Sequence, residues 1–198
     1  MKKRILFMLV GLLGVLWVSS LKAAELGLFI SDANLLVQGE QEVYTYSGNP
    51  VFLGGSLFYS EKHDRDNWLI SANLKVKDLY QPKAINLGLG FQATAGKVKP
   101  NLSYDVFGIG FLFVGVVNLE HTTSKLPVEI ETSLFYAPPI LSFADTERIF
   151  SWSIGAFYKV NPMASVGVRY DIYDVNIDKP GDPSWDESCL LVGAKIRF

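Results

Sequence analysis

Three features predict an all-β fold: a transmembrane antiparallel up-and-down β-barrel of ten strands, with eight as the alternative, after a cleaved N-terminal signal peptide. The first is the stretch 187–198, where Leu190, Val192, Ala194, Ile196 and Phe198 alternate with Cys189, Leu191, Gly193, Lys195 and Arg197. Period two marks a strand, and an apolar row opposite a Lys and Arg row marks two faces in different solvents. The second is the recurrence of that alternation through most of the chain. The third is the order basic, apolar, small at the N-terminus. Hydrophobic residues make up 49% of the sequence, yet nothing after the N-terminal region reads as a membrane helix. That composition suits a large β core or a barrel with a lipid-facing surface.

Lys2, Lys3 and Arg4 form a basic start, and residues 5–18 are an apolar run without an acidic residue. Ser19, Ser20, Ala23 and Ala24 then supply small residues before Glu25. This is the order of a secretory signal peptide. The run is shorter than the roughly 20 apolar residues of a spanning helix. Cleavage is expected after Ala23 or Ala24, which divides the chain into a signal peptide, 1–24, and one barrel domain, 25–198. No Cys follows the apolar run, so a lipoprotein anchor is not expected, and the single Cys189 excludes an intramolecular disulfide. Cleavage removes Lys2, Lys3, Arg4 and Lys22 but no acidic residue, leaving an acidic chain without a basic block. Nucleic acid is therefore not an expected partner.

In chain order, residues 25–30 and 35–46 are weakly patterned strands on either side of the turn-like Ser31, Asp32, Ala33 and Asn34. Residues 51–59 alternate, although Phe52 and Phe58 break the polar face. In 68–77, Trp68, Ile70, Ala72, Leu74 and Val76 oppose Leu69, Ser71, Asn73, Lys75 and Lys77. Residues 85–95 set Leu87, Leu89 and Phe91 against Gly88, Gly90 and Gln92. Residues 105–117 are apolar on both faces and give no assignment. In 128–136, Val128, Ile130 and Leu134 oppose Glu129, Glu131 and Ser133. Residues 151–160 and 163–173 form a hairpin around Asn161 and Pro162. With 187–198 these runs sum to ten, and to eight if the two weak ones are a peripheral extension. Outer-membrane strands need about 9–11 residues, and bacterial barrels use an even number of them.

Such barrels keep both termini and the short turns in the periplasm, with longer loops outside. On that scheme 46–50 and 160–162 are periplasmic turns, while 61–66, 137–148 and 176–187 are external. The connection 118–127 is long for a periplasmic turn. Tyr59, Trp68, Tyr80, Trp152, Tyr158 and Tyr170 gather near strand ends, as interfacial girdles do.

The sequence offers little chemistry. His63 lies in a charged loop with Asp64 and Asp66, a pattern read as solvated loop before metal site. His121 stands near Ser124, but no third group is in place to orient a nucleophile. No metal, cofactor or catalytic residue is expected, with only a residual case for a lipid-modifying enzyme. The glycines at 88, 90, 108 and 110 lack the spacing of a nucleotide loop. The notable set is Lys75, Lys77, Glu129, Glu131, Lys159, Arg169, Asp171, Lys195 and Arg197, all on water-facing rows. In a narrow barrel they point into the lumen and pair across strands, because an unpaired ion at low dielectric is costly.

The chain resembles the YfaZ family of outer-membrane proteins. The resemblance rests on Ala24, Glu25, Leu26 and Gly27, on Ser31 and Asp32, on 135–139 before an acidic loop, on 166–170, and on 192–198. It implies a barrel and transfers no activity. The expected role is that of an outer-membrane structural or surface-interaction protein with a charged, largely plugged lumen, acting through its external loops. Outer-membrane lipid is one expected partner. The barrel-assembly machinery, engaging Leu190, Val192, Ala194, Ile196 and Phe198, is another. A narrow channel and a soluble periplasmic barrel binding a small ligand are the alternatives.

Overall fold

The computed structural model describes residues 24–46, 48–62, 65–79 and 84–198. Residues 1–23 of the expected signal peptide, with His63, Asp64 and Tyr80, lie outside the described residues, while Ala24 already belongs to the first strand. The strands are β1 (Ala24–Ile30), β2 (Asn34–Tyr46), β3 (Asn49–Lys62), β4 (Arg65–Val76), β5 (Ile85–Val98), β6 (Tyr104–Asn118), β7 (Val128–Ala137), β8 (Ser142–Ala144), β9 (Thr146–Asn161), β10 (Ala164–Ile177) and β11 (Ser184–Arg197). Every pairing is antiparallel, β5 pairs with β6, and β1 pairs with β11. Ten strands thus close into an up-and-down ring. The short β8 is an extra segment that continues the pairing of β6 above the end of β7, with Val106 opposite Ala144.

Closure joins the two weakest and strongest sequence signals. Glu25 pairs with Arg197 and Ile30 with Val192. Beyond the ladder, Phe198 N donates to Ala24 O at 2.9 Å. The 25–30 run is therefore a true strand, with Leu28 and Ile30 exposed outward and Phe29 buried inward. This selects ten strands over eight.

On the outer surface, Leu89, Phe91, Ile109, Phe111, Val166, Val168, Leu190 and Val192 are all exposed. The stretch 105–117 resisted reading because both of its faces are apolar for different reasons. Phe107, Ile109, Phe111 and Phe113 line the exterior, whereas Val106, Leu112 and Val114 face the interior. A binary pattern vanishes where the two environments favour the same residue type.

The far connections also differ from the sequence reading. β9 starts at Thr146, β10 runs to Ile177 and β11 starts at Ser184, so only 178–183 joins the last hairpin. Arg148 and Asp186 fall in the expected external loops, and Asp174 just past the expected strand. They sit on strands that continue past the apolar surface, where Arg148 Nη2 donates to Asp174 Oδ2 at 3.0 Å. At the other end, 119–127 contains a 3₁₀ turn (Leu119–His121) capped by Asn118, whose Oδ1 accepts from Glu120 N at 3.2 Å.

Inside, the half of the barrel away from the termini is packed with Phe29, Leu36, Phe58, Leu69, Val98, Val106, Phe135, Ile149, Val175, Ile177, Trp185 and Leu191, each at most 5% exposed. Phe58 meets Tyr173 at 4.4 Å and Trp185 at 6.5 Å between ring centroids. Phe29 and Phe157 pack edge to face at 5.8 Å. These rings lie flat on the wall because glycines underlie them. A Cβ at Gly27 would stand 2.7 Å from Phe29 Cε2, and one at Gly167 2.7 Å from Phe157 Cδ1. Gly167→Val is therefore expected to overpack the core and cost about 1–3 kcal/mol. Urea titration of the folded barrel in detergent checks this.

At the far end, the 142–146 and 178–183 segments are tied together through Asp145. Its backbone O accepts from Asp178 N at 2.9 Å, and its Oδ1 receives Lys179 Nζ at 2.8 Å. Lys179 holds the Asp145 carboxyl below its ordinary pKa, helped by the Asp105 N–H, and Asp145 raises the Lys179 ammonium in return. A depressed acid stabilises above its unfolded pKa and loses that contribution as pH falls through its folded pKa. A raised base loses its contribution as pH rises through its own. The Asp178 amide is therefore expected to be protected near neutrality and to lose protection at acid pH, where Asp145→Asn should have little further effect. Amide exchange protection factors measure it.

Candidate functional site

The inward rows change character along the barrel. Below the apolar core, toward the termini, they carry charge. β4 supplies Lys75, with Lys77 just past its end; β7 supplies Glu129 and Glu131, β9 supplies Lys159, β10 supplies Arg169 and Asp171, and β11 supplies Lys195 and Arg197. Period two on each strand aims these side chains to one side. Two acids that the sequence reading left out complete the set, Glu25 on β1 and Glu40 on β2. Both were legible in outline: Glu25, Gly27 and Phe29 oppose Leu26, Leu28 and Ile30, and Gln38, Glu40 and Glu42 share a row.

The charges fall into three groups. On one wall Lys75 and Lys77 share Glu40: Lys75 Nζ lies 2.5 Å from its Oε2, and Lys77 contacts its Oε1. Lys77 also sits 4.4 Å from the centre of the Phe52 ring, one of the two aromatics that broke the polar face of β3. Glu25 stands directly across the β1–β2 ladder from Glu40, and Arg197 bridges Glu25 at 2.6 Å and Glu129 at 2.5 Å. Lys195 contacts Glu131, lies 3.4 Å from Glu25, and is fully buried 3.9 Å over the Phe157 ring. Lys159 reaches Glu120 at 3.4 Å and Glu129 at 3.6 Å toward the mouth.

The third group forms the floor, where charge meets the apolar core. Arg169 Nε donates to Asp171 Oδ1 at 2.6 Å, and Arg169 Nη1 donates to Gln38 Oε1 at 2.6 Å. The guanidinium carbon lies 5.8 Å from the centre of the Phe29 ring. Asp171 is 1% exposed. Pairing offsets the desolvation of these ions, because a lone charge in such surroundings is strongly disfavoured.

Between the walls lies a cavity of about 410 Å³. Ala24 and Phe198 stand at its rim and Arg169 at its floor, so it opens at the end that carries the termini. The interior is a blind vestibule under an apolar core. The sequence reading expected charge to plug the lumen; in the structure apolar side chains fill the far half, and charge lines the near half.

The remaining candidates are plainly placed. His121 is exposed at the end of the 3₁₀ turn. The Thr122 hydroxyl donates to Leu119 O at 2.7 Å and lies 2.7 Å from Ser124 Oγ, which shapes the turn. Among the described residues no group of three or more His, Cys, Asp or Glu side chains is placed to hold a metal ion. Cys189 is buried on the inward face of β11.

Fold and site together define a class: a closed ten-stranded antiparallel barrel, apolar outside, whose inward ion pairs gather toward the termini while one further acid, Glu187, is buried in the far half. No protein-family model and no curated protein matches the chain. Solved structures of similar trace include the outer-membrane expressed OmpT of Vibrio cholerae, at 13% identity over 88% of this chain and 64% of that one, TM-score 0.43. The outer membrane channel DcaP of Acinetobacter baumannii shows 10% identity over 90% and 62%, TM-score 0.41. Neisserial surface protein A shows 11% identity over 89% and 94%, TM-score 0.36. The chain spans 64% and 62% of the first two, just under two thirds of their length. At TM-scores below 0.5 these likenesses carry no argument about role.

Proposed function

We propose that the chain is an outer-membrane barrel sealed to solutes, a membrane-anchored structural or surface-interaction protein and not a pore. One observation carries this reading: apolar side chains occupy both faces of the same wall. Outward, Leu28, Ile30, Phe91, Phe111, Val168 and Val192 are 43–61% exposed. A soluble monomer rarely leaves so large an apolar surface in water, whereas a hydrocarbon solvent requires it. Inward, the core from Phe29 to Trp185 fills much of the far half, with Asn34, Ser60, Asn67 and Glu187 buried beside it, which disfavours the channel alternative. The outward face turns polar at Arg148, Asp174 and Asp186 on β9 to β11, which supports an external boundary there. The working surface is then the polar strand extensions with the short segments 138–145 and 178–183.

Two finer points belong to the same proposal. The outward row Leu190, Val192, Ala194, Ile196 and Phe198 on the last strand is the segment that the assembly machinery engages. Kinship with the YfaZ family rests on the motifs at 166–170 and 192–198.

Membrane fractionation followed by electrophoresis of boiled and unboiled samples tests the reading. The expected result is recovery with the outer membrane and faster migration of the unboiled form. Recovery in the soluble periplasmic fraction would overturn it.

A further inference from the structure

We propose that the upper edge of β11 is a docking site for an extended peptide strand, one with a basic residue opposite Asp186 and small residues on its inward row. The inference deepens the surface-interaction reading and rests on it for the side of the membrane that the edge faces.

The edge follows from unequal strand lengths. β10 pairs with β11 up to Asn176 opposite Ser184, whereas β1 ends at Ile30 opposite Val192. The chain then turns back, with Ser31 N donating to Asn34 O at 2.9 Å. β11 therefore runs on past the end of β1 as far as Ser184. Alternation decides which backbone groups lie on that side. Phe198 N donates to Ala24 O on the β1 side, and Arg197 N donates to Met163 O on the β10 side. No register shift interrupts β11 up to Ser184, so its even-numbered residues turn their N–H and C=O away from β10. Ser184, Asp186 and Ser188 each present one donor and one acceptor there, without a backbone partner among the described residues.

Three observations select the occupant. First, a row of alternating donors and acceptors is a template for another strand. No Pro, Lys or bulge blunts 184–191. Hydrocarbon excludes an open edge, and the outward side chains of Ser184, Asp186 and Ser188 are polar and exposed, as water requires.

Second, the charge beside the edge is unbalanced. Asp186 receives only the Ser184 hydroxyl, at 3.3 Å, among the described residues. Its register partner Asp174 already holds Arg148 at 3.0 Å, which leaves two carboxylates to one guanidinium. Across the gap above the β1–β2 turn, which carries Asp32, the β3–β4 tip sets Glu61 opposite Asp66 and Lys62 opposite Arg65, so its own charges balance. A cation directly opposite Asp186 on an added strand is favourable.

Third, the space inside is filled. Trp185 is buried with its ring centroid 6.5 Å from Phe58 and 6.2 Å from Tyr173. An added strand has room on that side for small side chains only.

The test is amide hydrogen exchange by NMR on the folded chain in micelles. The probe is a capped peptide of seven residues, with Thr, Lys and Thr at alternate positions and Ala elsewhere. In the chain alone the amides of Ser184, Asp186 and Ser188 are expected to exchange about tenfold faster than those of Trp185 and Glu187, which face β10. The peptide at about 1 mM should slow those three about threefold. A peptide with Glu in place of Lys should protect about fivefold less well. Asp186→Lys should reverse the order of the two peptides. Ser188→Pro removes an N–H that no described backbone group accepts, so it should keep the unboiled gel migration and lose the peptide effect. If Ser188→Pro does not fold, Asp186→Lys decides. The proposal is overturned if the three amides are as protected as their neighbours in the chain alone, if the peptide leaves exchange unchanged, or if both peptides protect equally. Recovery of the chain from the soluble periplasm would overturn the membrane reading and leave the exchange result standing. Unchanged exchange in a chain recovered from the outer membrane would overturn the docking edge alone.

Discussion

Replacing Asp171 by alanine is expected to cost about 3–5 kcal/mol, because it breaks a buried ion pair and leaves the other charge in place. Asp171 is 1% exposed, and its partner Arg169 keeps only the Gln38 carbonyl as a hydrogen-bond acceptor among the described residues. Beyond the pair lies the ring of Phe29, so water could reach the isolated guanidinium only from the vestibule side. Arg169→Met in the same chain should restore most of the stability, since the isolated charge is then gone. Arg169→Glu should be worse than Arg169→Met, because it sets two carboxylates together in an enclosed place. Urea titration in micelles of the parent, Asp171→Ala, Arg169→Met and the double variant, closed as a double-mutant cycle, measures the coupling, with Arg169→Glu titrated beside them. Equal stability of Asp171→Ala and the parent would mean that water reaches the floor of the vestibule.

Val168→Arg is expected to cost about 2–4 kcal/mol in a bilayer, the price of a cation near the midplane of a lipid-facing strand. Val168 lies between Val166 and Tyr170 in the outward row of β10 and is 45% exposed. On a soluble barrel the same exposed position would tolerate arginine to within about 0.5 kcal/mol. The substitution therefore separates the two environments directly. Asp186→Arg, on the polar extension of β11, is the control and should cost about 0–1 kcal/mol. Unfolding of both variants in lipid vesicles gives the comparison.

Much of the barrel was legible because alternation survives wherever the two faces want different residues. The strands at 68–76, 128–136, 164–173 and 187–197 fall into that class. Legibility failed for two physical reasons. In 105–117 lipid and core both select apolar residues, so the period disappears. In 146–150 and 174–186 the strand outruns the apolar surface, and Arg148, Asp174 and Asp186 read as loop because their outward face meets water.

The site was legible in its residues but not in its organisation. Period two says which side chains point inward, but not what they meet there. Phe29, Phe58, Tyr173 and Trp185 share inward rows with charged residues, and only the cross-strand register stacks them into one core away from the termini. Glu25 and Glu40 went unread because they lie on the two weakest runs, where short length and glycine dilute the pattern. Without them Lys75, Lys77 and Arg197 lack main partners, so a ring of charge was the natural expectation. The register turns that ring into a vestibule under an apolar seal.

Conductance is the most direct test of that seal. Proteoliposomes are floated, shown by unboiled migration to hold folded barrel, and fused to a planar bilayer. The account predicts a flat trace, no different from liposomes without protein, at any polarity. Reproducible ohmic steps from folded protein would contradict it, because ions would then be crossing the core formed by Phe29, Phe58, Trp185 and Leu191.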